Sequence, residues 1–302
     1  MDIRQLRYFA AVIDAGSVSK AAIELSISQP SLSQQIAAME RDLGVALLLR
    51  SSSGVRPTEA GITLSRHART ILKQLETLRG DVKRGEHSEA GSVAVGLPTS
   101  IATVLAVPLF ERVRERFPGI HLQIFESLSG FLFELLANGR LDMSVLFRFT
   151  ATSGVSVVPM FRERLSLYGA PWLGDPASGT IPLKLNAEAP LVLPGKANGL
   201  RILVERTFAR EDLHLNVVAD LDSLPTMMTL ARKGTVGTIQ SGSLSREQGA
   251  LMLARRIVDP SIERTVSLCT LNSMPQNSAS RAVHDTLIAV VKELEPMWDL
   301  VG

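Results

Sequence analysis

The sequence is poor in cysteine, in clustered histidine and in net charge, and each shortage excludes a class of protein. A single cysteine, Cys269, among 302 residues cannot form an intramolecular disulfide, and the five histidines are dispersed without metal-ligand spacing. We therefore expect no zinc finger or iron–sulfur centre, and a reducing, cytoplasmic setting. A formal charge of +2 with 45% hydrophobic residues excludes a disordered chain and a polybasic tail.

Long uninterrupted hydrophobic runs and catalytic motifs are absent too. The longest apolar stretch, residues 93–110, is interrupted by Pro98, Pro108 and hydroxyl side chains. A membrane-spanning helix needs about 20 predominantly apolar residues, so we interpret this stretch as strand, turn and helix and expect no membrane partner. Neither GxSxG nor HExxH occurs. We expect no enzymatic activity, no cofactor and no metal site.

Three short helices are predicted at the N-terminus from the spacing of apolar residues. Residues 2–15 have amphipathic helical spacing, and the Gly-Ser pair at 16–17 ends this helix and begins the next. Ser28 is placed to cap a third helix that ends near Gly44, with Pro30 tolerated in its first turn. Three short helices with a tight turn before the third are typical of a helix-turn-helix.

The third helix has a small, polar face opposite its apolar side. Hydroxyl and amide groups on such a face can approach base edges in the major groove, where they donate and accept hydrogen bonds. A three-helix bundle with a solvated polar face fits the same pattern, and both interpretations stay open at this point. The face carries Pro30, Gln34, Ala37, Ala38 and Arg41, flanked by Ser31 and Ser33.

Residues 45–58 predict a basic hairpin directly after the third helix. A short apolar strand, a turn of serine and glycine, and a second strand ended by Pro57 follow one another. Arg50 and Arg56 lie on the two arms. A basic hairpin in this place is typical of a wing that contacts phosphates or the minor groove.

A long helix is predicted from its cap, Thr58, to about Arg84. Its apolar residues recur at alternating steps of three and four, which is the 3.5-residue period of a coiled coil. We expect this stripe to pair with a second copy of the chain, because it has no obvious partner inside its own small domain. The stripe consists of Gly61, Leu64, Ala68, Ile71, Leu75, Leu78 and Val82. Small, polar residues at 85–91 then predict a hinge.

Two later segments, about 96 residues apart, predict the same βαβ unit. The first has strands at 93–97 and 120–125 around a helix, and the second has strands at 191–193 and 213–219 around a helix. Two such units imply two α/β lobes. Ligands bind between such lobes, near the carboxyl ends of strands and the N-termini of helices.

The N-terminal region closely resembles the LysR-type transcriptional regulators. The matching stretches are residues 6–9, 16–22, 28–36, 43–45, 49–50 and 57–61. The resemblance implies a sequence-specific regulator of double-stranded DNA and suggests a tetramer. Together with the apolar stripe, it leads us to expect a homodimer or a homotetramer. The residues implied to contact DNA are Gln29, Pro30, Ser31, Ser33 and Gln34, with Arg50 and Arg56 in the wing.

The same resemblance implies an architecture for the whole chain. We expect a mainly α winged helix-turn-helix domain, a long linker helix, and a two-lobed α/β effector domain resembling periplasmic binding proteins. Gly139–Asp142 matches a signature of the family, and residues 194–201 are similar to its nitrogen-assimilation branch. The boundaries implied are 1–58 for the first domain, 59–90 for the linker (dimerisation) helix and hinge, and 91–302 for the effector domain, with lobe I at 91–161 plus 267–302 and lobe II at 162–266.

Five residues at predicted helix starts are candidates for binding an effector: Thr99, Ser100, Ser129, Asn198 and Arg201. Hydroxyls and free N–H groups at a helix start attract a carboxylate, so we expect a small anionic or polar metabolite between the lobes. Helix capping by the hydroxyls and a solvated arginine are the alternatives. A cytoplasmic solute-binding or enzymatic α/β protein with a helical interaction appendage stays open as a second function.

Overall fold

The computed structural model describes residues 1–51, 54–84, 89–147, 154–175, 177–244, 253–274 and 276–295, with only the backbone of 76, 77 and 79–84. Three predicted features therefore lie outside the described residues. They are the wing tip at 52–53, residues 85–88 of the predicted hinge, and the side chain of Val82.

Three helices form the N-terminal core: α1 (Ile3–Ala15), α2 (Val18–Glu24) and α3 (Gln29–Leu43). The predicted capping signals act as expected, because Ser28 Oγ accepts from the backbone N–H of Ser31, and Gly44 ends α3 in the left-handed conformation. The fully buried side chains at the centre of this core are Phe9, Val12, Leu32, Ile36 and Met39.

A hairpin of β1 (Leu48–Ser51) and β2 (Gly54–Pro57) follows α3, as predicted. It is fixed against the turn between α1 and α2, because the N–H of Val55 donates to the carbonyl of Gly16 over 3.0 Å. Gly54 has φ +125, and a Cβ there would lie 2.5 Å from the carbonyl oxygen of Gly16. The hairpin can approach this closely only with glycine at this position.

The long helix α4 (Glu59–Arg84) begins after Thr58, whose Oγ1 accepts from the N–H of Gly61 over 3.0 Å. Its first half packs into the N-terminal core. Ala68 is fully buried there, and Leu64 is half-buried against the same cluster. This corrects the expectation that the whole apolar stripe lacks a partner inside its own domain. Only farther along the helix does the stripe become exposed.

The remaining elements form one α/β unit of two lobes. In chain order they are β3 (Gly91–Pro98), α5 (Thr99–Arg116), β4 (Ile120–Ser127), α6 (Ser129–Ala137), β5 (Met143–Leu146), β6 (Val155–Gly169), β7 (Thr180–Pro182), α7 (Leu183–Asn186), β8 (Leu191–Leu193), α8 (Gly199–Arg210), β9 (Val217–Asp220), α9 (Leu224–Arg232), β10 (Gly237–Ser241), β11 (Ala254–Val258), β12 (Glu263–Leu271) and α10 (Ser278–Glu293). The strand order is β4-β3-β5-β12-β6-β10-β8-β9, and β11 pairs with β6 and β7.

The two predicted βαβ units are present, with β3 parallel to β4 and β8 parallel to β9. The last strand is shorter than predicted: it begins at Val217, and Leu213 and Leu215 pack against the core of lobe II ahead of it. Lobe I has its core between its sheet, α5 and α10, and lobe II has a separate core beneath α8. The long strands β6 and β12 pass from one lobe to the other. Of the helices described, none is both long and apolar enough to cross a membrane.

Candidate DNA-binding surface and interlobe cleft

The outward face of α3 carries the predicted polar residues. Gln29, Pro30, Ser31 and Gln34 are exposed, whereas Ser33 is half-buried. Gln29 Nε2 donates to Ser33 Oγ over 2.9 Å, so two of the predicted DNA-contacting side chains also contact each other. The opposite side of the helix is anchored in the core, which fixes the direction in which this face points.

The two wing arginines are both exposed but lie on opposite faces of the hairpin. Arg56 is paired with Leu49, and Arg50 is paired with Val55. Directly opposed residues share a face, and successive residues of a strand alternate between faces. Val55 packs against the domain core, so Arg56 is the arginine on the face turned away from it.

Sequence reasoning missed the residue that fixes the wing relative to α3. Glu40 Oε1 accepts from the N–H groups of Leu47 and Leu48 over 2.8 and 3.2 Å. The carboxylate thus holds the start of β1 beside the C-terminal end of α3. A glutamate late in an amphipathic helix is usually a solvated side chain, so no local signal in the sequence indicates this role.

A buried polar cluster lies where the two lobes meet. Arg264, on β12, donates from Nη2 to Ser100 Oγ over 3.2 Å and from Nε to Glu163 Oε1 over 2.5 Å. Its guanidinium carbon lies 3.5 Å from the ring centroid of Phe147, which follows β5. Lobe I therefore contacts Arg264 through both the start of α5 and the end of β5.

The cluster continues into lobe II through Glu163, whose side chain is fully buried on β6. Ser241 Oγ, at the end of β10, donates to Glu163 Oε2 over 2.5 Å and lies 2.8 Å from Ser243 Oγ. We call the six residues Ser100, Phe147, Glu163, Ser241, Ser243 and Arg264 the interlobe cluster. Of these, the sequence analysis singled out only Ser100.

Two helix starts of lobe I lack a side-chain cap. The residues before α5 and α6 are Pro98 and Leu128, and among the described residues no side chain caps either helix with a hydrogen bond. The alternative that Thr99 and Ser100 serve as caps therefore has no support in the geometry. Ser129 Oγ accepts from the N–H of Phe147 over 3.5 Å, which links the start of α6 to the interlobe cluster. Free N–H groups at a helix start favour an anionic or polar acceptor.

The two candidates from lobe II are bonded within their own lobe. Asn198 caps α8, its Oδ1 accepting from the N–H of Leu200 over 2.9 Å. Arg201 is buried and donates to Asp220 over 2.8 Å and to Glu205 over 2.7 Å. Burial by itself lowers the pKa of Arg201, but the hydrogen bonds to these carboxylates outweigh it and raise the pKa.

The structure offers no metal centre in the part of the chain that it describes, where no three His, Cys, Asp or Glu side chains group together. Cys269 is buried in lobe I. The candidate site residues that the structure describes interact through hydrogen bonds and ion pairs.

Comparison with known families gives two matches along the chain. Residues 3–62 match the bacterial regulatory helix-turn-helix protein, lysR family, and residues 86–292 match the LysR substrate binding domain. The second match alone spans more than half of the chain.

Individual relatives match over nearly the full length. The nitrogen assimilation regulatory protein nac of Escherichia coli (strain K12) is 32% identical over 100% of both chains, and that of Klebsiella aerogenes is 32% identical over 96% of this chain and 95% of the relative. A full-length OxyR variant from Pseudomonas aeruginosa has a TM-score of 0.75 at 23% identity, covering 97% of this chain and 98% of that one. Full-length CbnR in complex with its target DNA has a TM-score of 0.57 at 23% identity, covering 96% and 99%.

Proposed function

The chain belongs to the LysR family of transcriptional regulators, with a helix-turn-helix DNA-binding domain and an effector-binding domain, and on that premise we propose how each domain acts. The polar face of α3 reads base edges of double-stranded DNA, and the wing fixes position on the backbone. A small anionic or polar effector binds between the lobes. The protein acts in the cytoplasm as a homo-oligomer, without cofactor or enzymatic activity.

The exposed face of α3 is the observation that carries the DNA-binding proposal. Its amide and hydroxyl groups are presented by a helix that is anchored on its other side by the fully buried Leu32, Ile36 and Met39, so they can enter the major groove without unfolding of the domain. The exposed guanidinium groups of Arg50 and Arg56 are suited to phosphates, which supply affinity but little sequence preference.

Base-pair substitution in the DNA tests the assignment of α3. We expect Gln34→Ala to lose about 1–3 kcal/mol of discrimination at one base pair, because a bidentate amide contact would be removed. Arg56→Ala should weaken binding to all sequences and reduce the salt slope by about one, because it would remove a phosphate contact. Fluorescence anisotropy on the gene's own upstream region and its single-base variants measures both effects. Equal losses on every sequence for both variants would contradict the assignment.

Homo-oligomer formation is supported by the second half of α4. Ile71 and Leu78 are 41% and 58% exposed on the predicted stripe. Beside the first half of the helix lies an open, mainly apolar groove of about 460 Å³ that includes Val45, Ala60 and Leu64. In a two-fold symmetric dimer, the same patch of both copies forms the interface. An antiparallel pair of α4 helices would therefore place the exposed stripe of each copy against the groove of the other copy.

Ile71→Lys tests this pairing, because a charge at the centre of a helix pair cannot be buried without a partner. We expect the protomers to separate and binding to an operator with two half-sites to be lost, as measured by sedimentation and anisotropy. Val107→Lys is the matched variant, since Val107 is 62% exposed on α5, far from the linker stripe in sequence. Unchanged oligomers with Ile71→Lys and dissociation with Val107→Lys would assign assembly to the effector domains instead.

The effector proposal rests on the two uncapped helix starts of lobe I and on buried Ser100, in the first turn of α5, which accepts from Arg264. A ligand carboxylate or carbonyl could accept from these N–H groups and from the hydroxyl. A thermal-shift screen of small carboxylates on the full chain tests this directly. A ligand that binds only the folded protein raises the melting temperature with its concentration. No shift with any anionic or polar compound would contradict the proposed ligand class.

A further inference from the structure

The turn at residues 138–142, between α6 and β5, contacts the linker helix α4. Arg69 Nη1 donates to the carbonyl of Asn138 over 3.5 Å, and Lys73 Nζ pairs with the carboxylate of Asp142. Gly139 has φ +70, and a Cβ there would lie 3.6 Å from the Cβ of Arg69. The two cations are one helical turn apart, so they present a single face of α4 to the turn.

The same contact includes the first helix of the DNA-binding domain. Asp14, near the end of α1, accepts from Arg69 Nη2 over 2.6 Å and lies 3.7 Å from Arg140 Nε. One carboxylate therefore links three parts of the chain: α1, α4 and the turn. Burial lowers the pKa of Arg69, partly offset by Asp14, as expected for a cation withdrawn from water.

Asp142 is fixed within lobe I and is not a free surface group. Its side chain is 4% exposed and also accepts from the N–H of Ala94 over 2.8 Å and from Ser280 Oγ over 3.1 Å. The carboxylate is thus held by β3 and α10, and Lys73 binds an acceptor that moves only with the lobe. Removing a partner from such a buried pair has larger effects than removing one at the surface.

Two short elements connect this turn to the interlobe cluster. Helix α6 begins at Ser129, which bonds to the N–H of Phe147, and ends just before the turn, roughly 13 Å away. Strand β5 begins directly after Asp142 and ends just before Phe147, which stacks on Arg264. Both elements are packed in the apolar core of lobe I, so they transmit displacement more readily than they deform.

We propose that the 138–142 turn couples the interlobe cluster, the proposed effector site that we call the cleft, to the DNA-binding domain, through the ion pairs of Arg69 and Lys73 with Asp14 and Asp142. This rests on the proposed function, in which effector and DNA bind at separate sites. A change in lobe position at Phe147 or Ser129 shifts the turn, and the turn shifts α4 together with α1. The recognition helices of an oligomer then change their spacing.

Thermodynamic reciprocity gives a test that needs no effector. If the state of the cleft changes DNA affinity, DNA binding must change the state of the cleft by the same free energy. The probe is therefore a DNA fragment from the gene's own upstream region, and the readout is amide hydrogen exchange in the full-length protein. The segments to follow are residues 99–104 and 129–134, the first turns of α5 and α6.

In the unmodified protein, we expect DNA binding to change the rate of amide hydrogen exchange in these segments by about fivefold or more. A change of this size corresponds to a typical coupling free energy. The double variant Arg69→Met/Lys73→Met should lose this change while still binding a fragment with one half-site. Arg66→Met is the matched control, because Arg66 is exposed on α4 and the variant removes the same kind of charge. It should keep the change. Asp14→Asn removes the negative charge from the α1 side and should reduce the change, even if the double variant does not fold.

Two results would overturn the coupling while leaving DNA binding in place. One is an undiminished exchange change in the double variant or in Asp14→Asn. The other is no change at the cleft of the unmodified protein when it is saturated with DNA. Failure of the unmodified protein to bind the DNA at all would overturn the proposed function, and this inference with it.

Discussion

The two lobes repeat one βαβ unit, but the helices that follow their first strands begin differently: one has no side-chain cap and the other has one. In lobe I, α5 begins after Pro98 without a side-chain cap, and Ser100 contacts Arg264 of the interlobe cluster. In lobe II, Asn198 caps α8 and Arg201 is paired within the lobe. A repeated backbone therefore does not imply a repeated site. Among the described residues, no side chain caps the helix starts of lobe I, whereas the start of α8 in lobe II is capped by Asn198.

The two buried arginines near these helix starts differ in what surrounds their partners. The carboxylate of Glu163, bonded to Arg264, is fully buried. The carboxylates bonded to Arg201, those of Glu205 and Asp220, are 42% and 51% exposed. Water can replace a lost arginine at the exposed carboxylates but not at the buried one. We therefore expect the loss of Arg264 to destabilise the protein more than the loss of Arg201.

The largest effect is expected from Arg264→Met. It leaves Glu163 as a buried carboxylate without its cation, so we expect a loss of about 3–5 kcal/mol in the free energy of unfolding. Arg201→Met should lose only about 1 kcal/mol, because its partners become solvated. Urea titration followed by circular dichroism measures both. Equal losses in the free energy of unfolding would show that the exposure of the partner carboxylates does not distinguish the two arginines.

A compensating variant sharpens the same prediction. Glu163→Gln combined with Arg264→Met removes both buried charges, so part of the lost stability should return. If the double variant is less stable than Arg264→Met, the buried carboxylate of Glu163 is stable without its cation, and the hydrogen bond from Ser241 is sufficient to hold it.

What the sequence could predict depends on how local the signal is. The start and end of α3 follow from Ser28 and Gly44, and the βαβ units follow from apolar runs and turns, so these predictions are confirmed by the structure. The interlobe cluster could not be predicted, because Glu163 and Arg264 are 101 residues apart and meet only through the register of β6 and β12.

The stripe on α4 shows a different limit. Packing within one domain and pairing with a second copy both need regularly spaced apolar residues, and the spacing alone did not show where one role ends. The structure assigns Ala68 to the core of its own domain and leaves Ile71 and Leu78 exposed. Similarly, the sequence leaves Arg201 either solvated or free to pair with an anion, whereas the fold buries it beside Asp220, 19 residues along the chain.

Ser100→Val tests whether the helix start of lobe I contacts the effector. Valine is of similar size and removes the hydroxyl, so we expect ligand affinity to fall by about 1–3 kcal/mol. The measurement is calorimetric titration with the compound that gives the largest shift in the carboxylate screen. Arg201→Met is the comparison variant from lobe II and should keep that affinity. Normal ligand affinity in Ser100→Val would show that Ser100 serves only to hold Arg264.

The smallest effect is expected at the helix start of lobe II. Asn198→Ala removes the cap of α8 and should lower the free energy of unfolding by about 1 kcal/mol, whereas Asn198→Asp keeps an acceptor for the N–H of Leu200 and should be close to neutral. Neither should change ligand affinity if Asn198 acts only as a cap. The aspartate variant is the decisive one, because it adds a negative charge without loss of the cap. Lower affinity for an anionic ligand with unchanged stability would place Asn198 next to the ligand, and both helix starts would then line one site.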